Sequence, residues 1–298
     1  MAHTLRLQLQ WVPQAQFAGY YVAQDLGWYE QAGLDVEILP HGPEFPPGKA
    51  LASDEADVAV FNLSEALQLM DQGVALVNLQ QFKRQSSLVF VALADTGIVT
   101  PNDLDGRLIA RWNHFGAQSE ALFRRYGVKP KVVNQGFSMA PLRAGVVDAA
   151  MATRYNEMVQ LYLGGLDEED MVVLALADHI TSLPEDGIYV RTEQWQAHEQ
   201  ALSAFVEVTR RGWQYAFDHP DQAIDSVMRR ARDAGLQTNR AHQTLMLSVL
   251  RDFYLDDQGQ LHDGQMYEDD FNRAWQLLRQ YEVIRGQNIP THEEFHKR

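Results

Sequence analysis

The stretch QLQWVPQAQFAGYYVAQDLGWYEQAGLDVEILP, residues 8–40, decides the fold class. Residues 5–11 alternate between apolar and polar side chains, which is typical of a β-strand. A helical pattern follows from about Phe17, and Gly33 is suited to end that helix. Residues 34–39 return to a strand pattern. A strand, a helix and a second strand in this order predict a parallel strand pair joined by a crossover helix.

The alternation of strands and helices continues to about residue 176 and predicts an α/β protein with parallel sheets. Asn62 and Glu65 have the spacing of a capping box, so we expect a helix over 63–72. From about residue 196 the pattern changes to four amphipathic helices. The further predicted strands are 57–61, 75–82, 87–94, 107–112, 131–135, 148–153 and 171–176.

The composition excludes several classes of function. With 40 acidic and 25 basic residues the formal net charge is -15, so we expect neither nucleic acid nor an anionic membrane surface as a partner. There is no cysteine, which excludes disulfides, a thiol nucleophile and cysteine-ligated metal sites. No apolar run reaches the roughly 20 residues of a transmembrane helix, and the first residues lack the apolar centre of a signal peptide. We therefore expect either a cytosolic protein or an exported one whose export segment has been removed.

Four segments occur in an order that resembles a known family. They are WVPQAQFAGYYVAQDLGWYEQAGLDVEILPHGP, ADVAVFNLSEALQL, NDLDGRLIARW and VDAAMATRYNEMV. The series is similar to the NMT1/THI5-like group of periplasmic solute-binding proteins, the receptors of ABC importers for thiamine pyrimidine precursors, riboflavin and related solutes. The resemblance covers residues 5 to about 195, and the helical tail suits the same family.

The resemblance implies an α/β, two-lobed periplasmic-binding-protein (Venus flytrap) fold with extra C-terminal helices. The first lobe would hold residues 1–95 and 189–298, and the second 96–188. Hinge candidates are residues 94–101 and 184–192. The implied function is an extracytoplasmic, monomeric receptor that captures a small planar heteroaromatic ligand, pyrimidine-like or flavin-like, and delivers it to the membrane permease of an ABC importer. We expect no cofactor.

Ligands of open α/β sheets bind beyond the carboxyl ends of the strands. Four short segments lie at such ends: 10–17, 62–65, 112–114 and 155–157. A flat ligand calls for aromatic walls and a few polar groups that fix its orientation. The predicted ligand-binding residues are therefore Trp11, Gln14, Phe17, Tyr20, Asn62, Trp112, Asn113, Tyr155, Asn156 and Glu157.

Each of these residues also has a purely structural interpretation. Trp112 either faces Trp11 across the cleft or packs on its own helix. Asn62 and Asn156 are suited to cap helices, and Glu157 to the first turn of one. Family pyrimidine binders often have a histidine where this chain has Phe17. Tyr21, Trp28 and Tyr29 are expected in the core.

Three other functions have to be compared with this one. HEEFH, 292–296, matches the zinc pattern H-E-x-x-H, but it begins just after Pro290 and has no third ligand, so we expect no metal. The family's eukaryotic branch is enzymatic; it needs a cysteine-rich stretch and a consumed histidine, and FNLSEA has no histidine at that place. We therefore expect no enzyme. A sensory domain of a membrane signalling protein remains an alternative to a transport receptor.

Overall fold

Two five-stranded sheets, each flanked by helices, form the frame of the protein. The computed structural model describes residues 2–297, with His114 described through its backbone only. The strands are β1 (His3–Gln8), β2 (Leu34–Ile38), β3 (Val58–Phe61), β4 (Leu76–Lys83), β5 (Leu88–Leu93), β6 (Leu108–Arg111), β7 (Lys131–Asn134), β8 (Ala149–Thr153), β9 (Met171–Ala175) and β10 (Glu185–Arg191).

Helices connect the strands and form the C-terminal part of the chain. They are α1 (Ala18–Asp25), α2 (Trp28–Gln31), α3 (Pro47–Ala52), α4 (Leu63–Asp71), α5 (Gly116–Tyr126), α6 (Ala140–Arg143), α7 (Glu157–Leu163), α8 (Leu176–His179), α9 (Thr192–Asp218), α10 (Pro220–Asp233), α11 (Arg240–Tyr254), α12 (Glu268–Gln280) and α13 (His292–Phe295). Among the described residues, no helix combines the length and hydropathy needed to cross a membrane.

The sheets are mixed, which corrects the prediction of purely parallel sheets. The first sheet has the order β2-β1-β3-β10-β4, and the second has the order β7-β6-β8-β5-β9. β1 pairs in parallel with β2 and β3, whereas β10 is antiparallel to β3 and β4. In the second sheet β6 is parallel to its neighbours, and β5 is antiparallel to β8 and β9. One antiparallel strand enters each sheet because the chain passes from one sheet to the other and back.

The chain crosses between the sheets at residues 84–87 and 176–184. The hinge candidate 94–101 therefore follows a strand that already belongs to the second sheet. The other candidate, 184–192, is mostly strand β10, which lies inside the first sheet. Its sequence, EDGIYVR, was not identified as a strand because the Asp-Gly pair is typical of turns.

The C-terminal helices pack against the first sheet and its first helix. Gly19 of α1 and Gly212 of α9 meet so closely that a Cβ on Gly212 would overlap the Gly19 carbonyl oxygen. Trp213 covers Gly19 at the same contact and is fully buried. The late helices therefore complete the core of the first lobe, as the prediction of two α/β lobes with C-terminal helices requires.

Two local predictions were wrong. The helix expected from Phe17 to Gly33 is interrupted at Gly27, whose φ of 66° lies in the left-handed region that glycine adopts readily. Asn62 precedes α4, but its side chain does not cap that helix. Its Oδ1 instead accepts a hydrogen bond from the backbone N–H of Asp186, 3.3 Å away.

Candidate functional site

The site lies where the carboxyl ends of β1, β6 and β8 face one another across the two lobes. Trp11 follows β1 of the first sheet, Trp112 follows β6, and Tyr155 and Glu157 follow β8. The two tryptophan rings are 5.9 Å apart between centroids and inclined by 70°. The structure thus brings together residues from both lobes that the sequence analysis had placed at strand ends.

Aromatic side chains make up the walls of this cleft. Besides Trp112, Trp11 contacts Phe115, with ring centroids 6.5 Å apart, and Phe137, with centroids 5.3 Å apart. Trp112 also packs edge-on against Phe115 at 5.8 Å, and its indole N–H donates to the Gly136 carbonyl over 3.4 Å. Trp112 therefore both faces Trp11 across the cleft and packs on its own segment.

The tryptophan pair borders two separate spaces. The inner space measures about 20 Å³, enough for about one water molecule. The outer space is larger, at about 170 Å³. The inner space is lined by Trp11, Gln14, Gln16, Trp112, Phe115, Thr153, Tyr155, Asn156 and Glu157. The outer space is lined by Trp11, Pro43, Trp112, Asn113, Asn134, Gln135, Gly136 and Phe137.

Glu157 is buried at the inner space and held by donors from its own loop. Its Oε2 accepts hydrogen bonds from the N–H and hydroxyl of Thr153, both at 2.8 Å, and its Oε1 accepts from Asn156 Nδ2 at 2.7 Å. Burial raises the pKa of Glu157, and these hydrogen bonds oppose the shift. The Asn156 side chain thus orients Glu157 rather than capping α7.

A chain of hydrogen bonds runs from the cleft into the interior. Gln14 Nε2 donates to Gln16 Oε1 over 2.7 Å, and Gln16 Nε2 donates to Asp186 Oδ1 over 2.9 Å. Gln10 and Tyr254 also donate to the Asp186 carboxylate. The loop after β1 is therefore fixed to the strand that returns from the second lobe.

The interior end of this chain is a buried ion cluster at the junction of the two lobes. Lys83 Nζ lies 3.0 Å from both Glu185 Oε2 and Asp186 Oδ2, and the Lys83 side chain is fully buried. Burial acts to lower the pKa of Lys83, but the two carboxylates outweigh it and the net shift is upward. The ammonium also lies 4.4 Å from the ring centroid of Tyr155, so the charge lies directly behind the cleft.

Three of the predicted residues do not line the cleft. Phe17 is buried against His41, with ring centroids 5.7 Å apart, and Tyr20 packs edge-on against Trp213 at 6.2 Å. Asn62 supports the backbone of Asp186. Each of these side chains contributes to the interior of the first lobe.

Two residues that hold the backbone of the loop after β1 were not identified from the sequence. His41 is one: its Nδ1–H donates to the Trp11 carbonyl and its Nε2 lies 3.2 Å from the Tyr21 hydroxyl, so it fixes the backbone of Trp11. Burial lowers the pKa of His41, which favours the neutral ring. Another is Gln243 of α11, whose Oε1 accepts from the N–H of Ala15 over 2.7 Å. Neither contact has a local sequence signal, because the partners are distant in the chain.

A larger cavity of about 490 Å³ lies elsewhere, beside the segments that cross between the lobes. Its lining includes Arg84, Gln85 and Arg273. The guanidinium groups of Arg84 and Arg273 both bind Asp270, at 2.9 Å and 2.6 Å. Because these cations are already paired, we regard the aromatic cleft as the stronger candidate for ligand binding.

The histidines of the HEEFH segment have other contacts. His292 Nε2 hydrogen bonds the Met266 carbonyl, and His296 Nδ1 lies 2.9 Å from Asn78 Oδ1. Within residues 2–297, no group of three or more His, Cys, Asp or Glu side chains has a geometry that fits a metal ion. The side chain of His114, the neighbour of Trp112 and Asn113, lies outside the described residues.

The chain is similar in sequence to two solute-binding proteins. The chain is 26% identical over 235 residues to the riboflavin-binding protein RibY of Chloroflexus aurantiacus, a match that covers 74% of this chain and 64% of that protein, slightly less than two thirds of its length. It is 21% identical over 256 residues to the formylaminopyrimidine-binding protein of Halalkalibacterium halodurans, with 83% and 76% of the two chains covered.

A solved structure shows the same fold. The periplasmic aliphatic sulphonate binding protein SsuA from Escherichia coli superposes with a TM-score of 0.67 at 15% identity, covering 96% of this chain and 89% of that one. The profile of a single family, described as NMT1/THI5 like, matches residues 14–223, which is more than half of the chain. With its two α/β lobes and its C-terminal helices, the chain belongs to the NMT1/THI5-like family and has the periplasmic-binding-protein fold.

Proposed function

We propose that this protein is an extracytoplasmic solute-binding protein that captures a small, planar, uncharged heteroaromatic ligand for an ABC importer. The observation that carries the proposal is the pair of tryptophans, Trp11 and Trp112, contributed to one cleft by opposite lobes at 5.9 Å. In this proposal the receptor acts as a monomer and hands its ligand to the membrane permease. Its lobes comprise residues 2–83 with 185–297, and 88–175, as the sheet membership suggests.

A flat ring is the shape that two opposed indoles bind best. Aromatic rings stack with their planes about 3.5–4.0 Å apart, so a ligand ring between two indoles needs a gap of roughly 7–8 Å. Trp11 and Trp112 are in direct contact and therefore have to separate and rotate to admit one. A hinge at the crossing segments 84–87 and 176–184 permits this motion, because the two tryptophans belong to different lobes.

An uncharged ligand is supported by the charges around the cleft. Among the described lining residues of both spaces, Glu157 is the one charged side chain. Arg111, which directly precedes Trp112, points to α5, where it donates to the Gly116 carbonyl over 3.0 Å and to the Ser119 hydroxyl over 2.7 Å. Lys83 is committed to two carboxylates. Sulfonates and phosphates depend on charge-assisted hydrogen bonds, and the described lining residues of the two spaces offer such an anion no cationic donor.

The relatives support the same ligand class. Riboflavin and formylaminopyrimidine, which the two relatives are named for, both contain a planar heteroaromatic ring system. A binding role rather than catalysis is further supported by the absence of cysteine, since the enzymatic branch of the family depends on a cysteine-rich stretch. The polar anchor in this proposal is Glu157, whose carboxylate would accept a hydrogen bond from an amino group or ring N–H of the ligand.

The experiment is a ligand screen with matched tryptophan variants. Melting curves would be measured with 4-amino-2-methylpyrimidine, riboflavin and ethanesulfonate, because a ligand at a hundredfold excess over its Kd stabilises by about 2.7 kcal/mol. We expect a heteroaromatic compound to stabilise the protein and ethanesulfonate to have no effect. Trp11→Ala and Trp112→Ala should each weaken binding at least about tenfold.

Trp28→Ala is the matched control, because Trp28 packs beneath Arg211, with the guanidinium carbon 3.7 Å from the ring centroid, and does not line the cleft. It should leave affinity unchanged. Stabilisation by ethanesulfonate with no response to pyrimidines or flavins would contradict the proposal, and so would equal losses in all three tryptophan variants.

A further inference from the structure

Gln14, Gln16 and Asp186 form an amide relay, a line of hydrogen bonds that connects the cleft to a buried carboxylate. Gln16 Nε2 donates to Asp186 Oδ1 over 2.9 Å, and Gln14 Nε2 donates to Gln16 Oε1 over 2.7 Å. All three side chains are buried, and both glutamines line the inner space. Because Gln16 is bonded at both ends of its amide, it passes the hydrogen-bonding character of Asp186 on to Gln14.

Asp186 determines the direction of the amide relay, because a carboxylate accepts hydrogen bonds and donates none. Its charge is balanced by Lys83, whose Nζ lies 3.0 Å from Asp186 Oδ2. Gln16 therefore has to turn its N–H groups towards Asp186 and its oxygen towards Gln14. Gln14 in turn has to direct its own N–H groups towards Gln16. The positions of oxygen and nitrogen in both amides thus follow from the bonding pattern.

The group left at the cleft end of the amide relay is Gln14 Oε1. Within residues 2–297 it accepts no hydrogen bond, and unlike the oxygen of Gln10 it is not sealed off from its surroundings. Glu157 lines the same inner space from the other lobe, and its carboxylate can only accept as well. Both lobes therefore present acceptor oxygens to this part of the cleft.

We propose that Asp186 and Gln16 are positioning residues that fix Gln14 Oε1 as a specificity-determining acceptor for an N–H group of the bound ligand. This inference rests on the proposed function and deepens it. Asp186 is not among the described lining residues of either space, so it acts through two hydrogen bonds and without touching the ligand.

Asp186→Asn should reverse the direction of the amide relay. The Lys83 ammonium requires an oxygen on its side of residue 186, and the Tyr254 hydroxyl donates to the same atom. The N–H groups of the new amide therefore take the position of Oδ1 and donate to Gln16. Gln16 and then Gln14 turn over, so that Gln14 presents N–H groups to the cleft where it presented an oxygen.

Lys83→Met is the matched control, because it removes a buried charge from the same cluster and leaves an acceptor at Asp186 Oδ1. The direction of the amide relay is kept in this variant. Gln10 also donates to Asp186 Oδ1, and within the described residues its own oxygen has no partner. In Asp186→Asn the Gln10 amide therefore turns over without losing a hydrogen bond.

The test compares two ligands with opposite groups at one ring position. Calorimetric titrations would use 4-amino-2-methylpyrimidine, which has a donor there, and 4-methoxy-2-methylpyrimidine, which has an acceptor. The wild-type protein should bind the amino compound more tightly. Asp186→Asn should reduce this preference about tenfold, because two sets of N–H groups then face each other. Lys83→Met should change the preference by about twofold or less, although it is the less stable variant.

A double-mutant cycle shows whether Asp186 acts through Gln14. Gln14→Ala removes the acceptor, and in that background Asp186→Asn should no longer change the preference. An equal effect of Asp186→Asn with and without Gln14 would overturn the inference, and so would a wild-type preference in folded Asp186→Asn. If Asp186→Asn does not fold, Gln16→Met interrupts the amide relay instead, and an unchanged preference in that variant would be equally decisive.

A measurement without ligand distinguishes failure of this inference from failure of the proposed function. In protein labelled with nitrogen-15 glutamine, the side-chain N–H signals of Gln14 are identified by their absence in Gln14→Ala. Their protons should exchange with water slowly in the wild type and in Lys83→Met, and faster in Asp186→Asn, where they face the cleft. Equal exchange rates would overturn the amide relay. If the rates differ as expected but no heteroaromatic compound binds, the proposed function and its ligand contact are wrong while the fixed orientation of Gln14 stands.

Discussion

Replacement of Lys83 by methionine should lower the free energy of unfolding strongly, because Lys83 is fully buried against two carboxylates. The ammonium lies 3.0 Å from carboxylate oxygens of both Glu185 and Asp186, and its side chain is fully buried. Methionine keeps most of the volume but leaves two buried carboxylates without a cation. Breaking a buried ion pair in this way typically costs about 3–5 kcal/mol.

The hydrogen-bond donors that still serve the two carboxylates in Lys83→Met determine where in that range the loss of stability falls. Glu185 keeps hydrogen bonds from the Ser86 and Ser87 hydroxyls, both at 2.6 Å. Asp186 keeps those from Gln16 and Tyr254, at 2.9 Å and 3.1 Å. Because these neutral donors partly compensate the charges, we expect a loss near the lower end, about 3 kcal/mol. That is a large share of the roughly 5–15 kcal/mol by which domains are stable.

Asp186→Asn provides a second arm of the same experiment. Asp186 has a φ of 55°, and asparagine tolerates this left-handed conformation well. The variant leaves Lys83 paired with Glu185, so it should cost less than Lys83→Met. Combined with Lys83→Met, it should recover part of the lost stability, since one uncompensated charge is removed.

Urea unfolding followed by tryptophan fluorescence measures these differences, with equal m-values as the check that one transition is being compared. Arg240→Met is the control, because Arg240 pairs with Asp225 at the surface and its side chain is 51% exposed. It should cost at most about 1 kcal/mol. A loss for Lys83→Met as small as that of Arg240→Met would refute the view that a buried cluster of paired charges joins the two lobes.

Three other outcomes are expected. If Glu157 accepts a ligand N–H, Glu157→Gln should weaken binding of a heteroaromatic ligand about ten- to a hundredfold in calorimetry. Unchanged affinity with a stability loss of about 0.3–1 kcal/mol would leave Glu157 a purely structural role. Burial raises the pKa of Glu65 to about 7. The folded state therefore holds this proton more tightly than the unfolded state. The free energy of unfolding should fall by up to about 3 kcal/mol as the pH rises from about 4.5 through 7. Glu65→Gln should remove that fall in urea unfolding, and an identical pH profile would contradict it. Because the touching tryptophans have to separate before a ligand can enter, the ligand-free protein should also adopt open forms in solution. Small-angle scattering should therefore give a larger radius without ligand than with a tightly bound heteroaromatic ligand, and equal radii would contradict a hinge closure.

The strand ends of the site follow from local patterns, and this is why they could be predicted. Trp11 lies in the loop after β1, Trp112 directly follows β6, and Glu157 begins the helix that follows β8. Those positions depend on side-chain periodicity and on where a strand stops, both of which are properties of a few neighbouring residues. That the two tryptophans meet follows once the strands are placed in two facing lobes.

Other features depend on contacts that no local pattern contains. Tyr20 lies on α1 and packs against Trp213 of α9, about two hundred residues away in the chain, and Phe17, just before α1, packs against His41. Strand β10 has no local strand signal, because its Asp186 adopts a positive φ inside a sheet. Distant groups hold Asp186 there: the buried Lys83 charge and the amides of Gln10 and Gln16. The hydrogen bond from the Gln135 side chain to the Met151 carbonyl likewise depends on where strand β8 lies in the same sheet.

The most direct test of the account is a crystal structure of the protein with a bound heteroaromatic ligand, either carried through purification or added as 4-amino-2-methylpyrimidine. In that complex Trp11 and Trp112 should no longer contact each other, and the ligand ring should lie between them at about 3.5–4.0 Å from each indole plane. A ligand bound in the cavity beside Arg84 and Arg273, with the tryptophan rings still 5.9 Å apart, would contradict it.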